Sequence, residues 1–453
     1  MIRRIVGGLA ALVALALIGV CAWLWIAPPE LLRVADGYAA KIVCSNAFLA
    51  GRDPQQVLDV DVTAAGNPVL KYIRQAVDQS GQTVTARMLG LFAPMTAVYR
   101  QGLGCTLAPD GNVEAVRKAR LAAQPAMQPA GDAPWPEGTG AASADTRIDA
   151  ILDDPAMTGP GMRAVLVVRD GRIVGERYGE GFDAETPLLS WSMAKTVTGI
   201  LAGMAMGDGK LALTDAALLP EWADGRKDIT VGQLAAMEAG LAFNEDYGDV
   251  TDVTRMLYLE PDMAGFAAAK PAVATPGTAF SYSTGVGMIL SRVWMARVGG
   301  GEAALAFPRE RLFGPLGMTS AVFETDEAGN FAGGSYIYAS ARDWGRLGQF
   351  LLQDGVWAGQ RLLPDGLVRM MGTSNGFAGG YSQFLTWLEG PQEDDDKSFG
   401  LPKDTYWLEG HDGQSMAVIP SERMLVVRMG LTPSGLGYGP EPMIKALIAA
   451  LRG

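Results

Sequence analysis

Residues 5–26, IVGGLAALVALALIGVCAWLWI, form an uncharged apolar run between Arg3-Arg4 and Pro28-Pro29. In lipid the backbone of such a segment must satisfy itself as a helix. At about 1.5 Å per residue the run spans the roughly 30 Å hydrocarbon core of a bilayer. A cleaved secretory signal has a shorter apolar centre, about 7–15 residues, and ends in a small-x-small site. No such site closes this run, and Val20 precedes Cys21 where a lipoprotein signal needs a small residue. An uncleaved transmembrane anchor is therefore expected over residues 1–29, with a cleaved signal as the alternative. Arg3 and Arg4 hold the N-terminus on the cytoplasmic side. The chain after Pro29 is then expected on the periplasmic, extracytoplasmic face of the inner membrane, as a single-pass protein.

That compartment changes how the cysteines read. Of the three, Cys21 lies inside the run, while Cys44 and Cys105 are in the exported part, where oxidation is permitted. A disulfide between Cys44 and Cys105 is expected, with two unpaired buried thiols as the alternative. A bridge over so long a loop contributes about 4 kcal/mol in the chain-entropy picture. A single histidine, His411, and so few cysteines leave no set for a zinc site. No EF-hand spacing occurs, and no GxG pair follows a strand and opens a helix, so neither a metal nor a cofactor is expected. The net charge of −12 argues against a nucleic-acid binder. The acidic run EDDDK at 393–397 reads as a solvated loop.

Along the exported chain, residues 30–120 read as a small appendage. TVTARML and AVYRQGLGCTL have strand character, and NVEAVRKARLAA reads as a short helix. Residues 121–144 shift to Pro, Ala and Gly and read as a linker that cannot fold alone. The main domain, 145–453, opens with a helix at ADTRIDAILDDP. A hairpin follows at MRAVLVVRDGRIVGERYG, turning at Asp170-Gly171. Mixed helices and loops fill 205–375. TYWLEGHDG, QSMAVIPS and RMLVVRMG then read as three short strands, and PEPMIKALIAALRG as a closing helix. Strands at both ends around a helical block predict an α/β (α+β) fold: one antiparallel sheet built from both chain ends, covered by helices, with a helical lobe inserted.

The chemistry centres on SWSMAKTVTG. Ser192 stands three residues before Lys195, and an uncharged helical run follows. One reading is a helix-capping serine beside a surface lysine. A lysine at the head of a buried helix is a different object, because burial favours its neutral form. Residues three apart share a helix face, so a neutral Lys195 amine can take the Ser192 proton. The helix N-terminus also offers a backbone N–H to a developing oxyanion.

Ser192-Met193-Ala194-Lys195 resembles the nucleophile motif of the serine β-lactamase and penicillin-binding protein superfamily. The second motif of that superfamily is matched by Tyr282-Ser283-Thr284 after the Pro276-Gly277 turn, with Thr284 where Asn or Ser is usual. Tyr338-Ala339-Ser340 is a rival match. The third motif is matched by His411-Asp412-Gly413-Gln414, which holds the sole histidine. Several longer stretches, among them PGTAFSYSTG and EGHDGQ, are similar to a class C-like branch with 6-aminohexanoate-oligomer hydrolases and related esterases. Together they cover about residues 145–450. In Asn244-Glu245-Asp246-Tyr247 the tyrosine matches that branch's substrate-touching loop, whereas Glu238-Ala239-Gly240 departs from its pattern.

The resemblance implies a β-lactamase/transpeptidase-like fold and an acyl-enzyme on Ser192. Lys195 and Tyr282 complete the catalytic set, with either as the base. The N–H groups of Ser192 and Gln414 form the oxyanion hole, and His411, Gly413, Tyr247 and Thr284 meet the substrate. The expected partner is a small amide, ester or short peptide. A β-lactamase, a DD-peptidase and a catalytically silent binding protein are the alternatives. Replacing the third motif's lysine with His411 removes a fixed charge for a substrate carboxylate, which argues against an efficient β-lactamase.

Overall fold

The computed structural model describes residues 2–121, 131, 133–140, 145–392 and 399–452. The acidic run at 393–397 and most of the Pro/Ala/Gly-rich stretch lie outside the described residues. The chain forms two compact units. The first comprises Met1–Arg100, Cys105–Lys118 and Asp246–Pro261; the second comprises Gln101–Gly104, Ala119–Glu245 and Asp262–Gly453.

In the first unit, the apolar run is a helix, Ile2–Ile26. Among the described residues it supplies the one candidate membrane span, Arg4–Ile26. A second helix, Glu30–Leu49, starts right after Pro28-Pro29 and was not legible in the sequence. It lies against a four-stranded antiparallel sheet made of Ile73–Asp78, Thr83–Met88, Phe92–Arg100 and Gly104–Ala108 in that order. The first of these strands was also unread. The expected short helix is Val113–Lys118. Cys44 on the helix and Cys105 on the last strand are bonded to each other, with Cα atoms 6.0 Å apart.

The appendage is not the continuous block 30–120. It takes in residues 246–261, whose helix Asp252–Tyr258 packs on Glu30–Leu49. Tyr258 meets Tyr38 edge-on at 5.7 Å, and Arg255 pairs with Glu30. Gly37 is where the helices come together, because a Cβ there would lie 3.1 Å from the Tyr258 Cβ. This excursion could not be read from local pattern, since its partner lies some two hundred residues away.

The second unit carries a five-stranded antiparallel sheet. Its order is Tyr406–Gly410, Gln414–Ile419, Met424–Gly430, Met162–Arg169, Arg172–Tyr178, so both ends of the domain build it, as expected. Strand alternation divides the core. Val165, Val167, Ala417, Ile419, Met424 and Val426 face the helices Thr146–Leu152 and Glu441–Arg452 through Ile148, Met443, Ile444 and Leu447. Leu166, Met416 and Leu425 face the opposite way, onto Gly345 and Gly348 of the helix Ala341–Leu352. A Cβ on Gly345 would sit 2.4 Å from Leu166, so glycine is what lets that helix lie on the sheet.

The described part of the expected linker is not free chain. Trp135 is buried and its indole N–H donates to the Arg342 carbonyl at 3.3 Å. Arg346 donates to the carbonyls of Pro136 and Gly138 at 3.0 and 2.8 Å. Its low apolar content prevents folding alone, but one tryptophan suffices to dock it on a formed helix.

Candidate active site

The chain reaches Ser192 through a short strand, Leu188–Leu189, paired with Ile337–Ala339. Ser190 is fully buried, and its N–H donates to the Ile337 carbonyl at 2.8 Å. Trp191 then adopts φ of 46°, the left-handed region that a bulky residue occupies only when its surroundings enforce it. Those surroundings are the rings of Tyr336 at 6.0 Å and His411 at 5.6 Å. A single 3-10 turn, Trp191–Met193, leads into the helix Ala194–Gly207, which is buried from Ala194 through Ala205.

No side chain caps this helix start. The Ser192 hydroxyl instead accepts from the Lys195 Nζ at 2.8 Å. Lys195 is 1 % exposed and also donates to Thr284 Oγ1 and to the Gly334 carbonyl, each at 3.0 Å. Burial pushes its pKa down to about 8, against the opposing pull of the Glu245 carboxylate. The Lys195 nitrogen lies 4.7 Å from the centre of the Tyr282 ring.

Tyr282 is hydrogen-bonded to Ser192, and its phenol is held well above its ordinary pKa by burial first, then by Tyr381 and Glu245. It stands among Trp387, at 5.0 Å, and Tyr381, at 5.8 Å. Ser283 takes the helix-capping role here, accepting from the Val286 N–H at 3.3 Å at the head of Thr284–Arg297. The side chains on either side of Ser283 therefore point to the site from a fixed helix start. The rival triplet is structural: Tyr338 is a buried strand residue, and Ser340 caps Ala341–Leu352 by accepting from the Asp343 N–H at 3.3 Å.

The third motif lies not on a strand but in a turn. Tyr406–Gly410 ends, His411–Gly413 makes a tight 3-10 turn, and Gln414 opens the next strand. Asp412 and Gly413 both have positive φ, 58° and 78°. The Gln414 side chain staples this turn, donating to the carbonyls of His411 and Asp412 at 3.1 Å and of Gly430 at 2.7 Å, while accepting from the Gly430 N–H. Arg428, wholly buried, donates to the Gly413 carbonyl at 3.0 Å from beneath. A Cβ on Gly413 would meet Arg428 at 2.9 Å, so turn conformation and packing explain that glycine. Gly410 brings the strand end against the nucleophile segment, where a Cβ would lie 2.2 Å from the Ser190 carbonyl. His411 is partly exposed, edge-on to Trp191 and 3.4 Å from Asp412 Oδ1.

Sequence reading passed over Glu245. Its carboxylate accepts from the Thr284 N–H at 2.8 Å and from the Thr284 hydroxyl. Burial raises its pKa, opposed by Lys195, Thr284 and His411. The signal was present as an acid two residues before Tyr247, the residue the resemblance singled out. Tyr247 itself is half-buried in the first unit. Among the described residues no group of three or more His, Cys, Asp or Glu is placed to hold a metal ion.

A sheet built from both chain ends, with a buried Ser-x-x-Lys helix start against its edge, defines the serine β-lactamase and penicillin-binding protein superfamily. The Beta-lactamase family profile matches residues 150–438, well over half of the chain, and the chain belongs to that family. Similar solved structures include a candidate 6-aminohexanoate-dimer hydrolase from Bacillus anthracis (TM-score 0.55, 22% identity, covering 67% of this chain and 82% of that one). A penicillin-binding protein homologue from Caulobacter crescentus gives a TM-score of 0.52 at 18% identity, covering 69% of this chain and 98% of that one. EstCE1, a hydrolase with promiscuous acyltransferase activity, gives 0.51 at 17% identity, with coverages of 68% and 98%. No curated protein matches the chain in sequence. The family is one of serine hydrolases acting on amide or ester bonds.

Proposed function

We propose that this chain is a membrane-anchored serine hydrolase that cleaves an amide or ester bond through an acyl-enzyme on Ser192. The observation that carries this reading is the 2.8 Å contact between Lys195 Nζ and Ser192 Oγ in a buried setting. Lys195, with its proton affinity lowered to about 8, is the base that takes the Ser192 proton as the hydroxyl attacks the carbonyl. Tyr282 keeps its proton far above neutral pH, which suits a donor rather than a base. It passes its proton to the leaving group; in deacylation the attacking water gives a proton back to Tyr282 and its hydroxyl to the acyl carbon, while Lys195 returns the first proton to Ser192 Oγ as the acyl bond breaks. The backbone N–H groups of Ser192 and Gln414 hold the oxyanion. His411 and the half-buried Trp387 wall supply substrate contacts. The helix Arg4–Ile26, with Arg3 and Arg4 at its start, supports the anchor, and in this reading the hydrolase domain is periplasmic.

The test is labelling with a fluorophosphonate and turnover of a p-nitrophenyl ester, each with and without Ser192→Ala. Expected is one phosphonyl adduct, on the peptide holding Ser192, and loss of both signals in the variant. Turnover that survives Ser192→Ala overturns the reading. A folded chain that takes neither probe favours the silent binding protein.

A further inference from the structure

Lys195 has three hydrogen-bonding neighbours: Ser192 Oγ at 2.8 Å, Thr284 Oγ1 at 3.0 Å and the Gly334 carbonyl at 3.0 Å. A neutral amine has two N–H groups and one lone pair. The Gly334 carbonyl can only accept. A threonine hydroxyl can do either, so its direction decides where the Lys195 lone pair points. Here it is decided by Glu245, whose carboxylate is acceptor-only and takes both the N–H and the O–H of Thr284. With its proton committed, Thr284 Oγ1 offers Lys195 a lone pair.

We propose that Glu245 is a positioning residue for the base: by holding the Thr284 hydroxyl proton, it makes Thr284 an acceptor, so that both amine protons of neutral Lys195 are occupied and its lone pair faces Ser192. This rests on the reading of Ser192 and Lys195 given above. It assigns Thr284, the departure from the usual motif residue, a partner and a reason. An asparagine amide would present Lys195 with a carbonyl by rotation; a threonine hydroxyl needs a fixed acceptor on its far side, and Glu245 supplies it. Without that acceptor the hydroxyl can turn and donate to the lone pair of Lys195, in competition with Ser192. The carboxylate also lies at the N-terminus of the fourteen-residue helix Thr284–Arg297, where negative charge is favoured.

The experiment is a double-mutant cycle on the full-length chain, measuring steady-state hydrolysis of an uncharged p-nitrophenyl ester and the rate of fluorophosphonate labelling. Glu245→Gln keeps size but can accept only one of Thr284's two protons. It is expected to lower kcat and labelling roughly tenfold or more, with KM within about threefold. Thr284→Val should do the same, and Thr284→Ser should recover most of the rate. Because one residue acts through the other, Glu245→Gln added to Thr284→Val should cost less than a further threefold. Losses that multiply in the double variant overturn the proposal, as does a Glu245→Gln enzyme within threefold of wild type. Should Glu245→Gln not fold, the Val and Ser pair at Thr284 decides: equal rates in the two overturn it. A Ser192→Ala chain that keeps its hydrolysis defeats the underlying reading instead, whatever the cycle shows.

Discussion

At the scale of single residues, the site is a contest over one proton. Burial strips Lys195 of hydration and brings its pKa to about 8, while Glu245 pulls the other way. The base form is neutral, so its population grows as pH rises. For an uncharged ester, kcat/KM should climb through about pH 8 and level off above it, because Tyr282 stays protonated well beyond that range. Glu245→Gln removes a charge that favours ammonium, so the rising limb should move to lower pH even as its plateau falls. A pH–rate series on the two proteins checks both signs; a limb that moves upward contradicts the electrostatics. Trp191 belongs to the same scale: its left-handed backbone between Tyr336 and His411 fixes where Ser192 begins.

At the scale of elements, Gly410 lets the strand Tyr406–Gly410 close on Ser190, and Gln414 holds the turn that follows. Gly410→Ala places a Cβ 2.2 Å from the Ser190 carbonyl, a contact only a backbone shift can relieve. Its expected cost is about 1–3 kcal/mol in urea unfolding, and activity should fall further than stability because the moved strand opens the site. Gln414→Leu keeps the volume but removes the side-chain bonds to the carbonyls of His411, Asp412 and Gly430 and from the Gly430 N–H, while the Thr432 N–H still donates to the Asp412 carbonyl at 2.8 Å. Unfolding should then show a loss of about 1–3 kcal/mol. A neutral result would mean that the bonds from Arg428 to Gly413 and from the Thr432 N–H to Asp412 brace the turn without Gln414. These elements were half-legible beforehand. The strand and its motif could be read from pattern, but the turn at His411–Gly413 could not, since it depends on a buried arginine and a long-range side-chain staple.

At the scale of the molecule, the first unit is not confined to the N-terminal part of the chain. It incorporates residues 246–261, whose Val253, Met256, Leu257 and Tyr258 are buried. Deleting 30–118 therefore strands an apolar helix, and the remaining hydrolase domain is expected to aggregate rather than fold as an independent enzyme. Soluble, active 145–453 would refute this. The bond between Cys44 and Cys105 closes a sequence separation of 61, for which chain entropy gives about 4 kcal/mol. Its reduction should lower the melting temperature of the first unit, read by calorimetry with and without reductant. Carbonate washing of membranes should leave the full chain in the pellet; release, with a mature start beyond residue 26, would mark a cleaved signal.

The sequence alone determined what local pattern can carry. The apolar run, the two-ended sheet and the Ser192–Lys195 spacing are written in neighbouring residues and in hydrophobic period, while the order of the three motifs was legible through the family resemblance. Tertiary structure alone decided that Ser192 meets Lys195 rather than capping its helix, that Glu245 reaches Thr284, and that residues 246–261 belong with the appendage. The last two join groups far apart along the chain, and the first depends on the burial of a helix start only three residues long. Which partner wins is set by burial and hydrogen-bond satisfaction in the folded state, and neither exists until the chain has closed on itself.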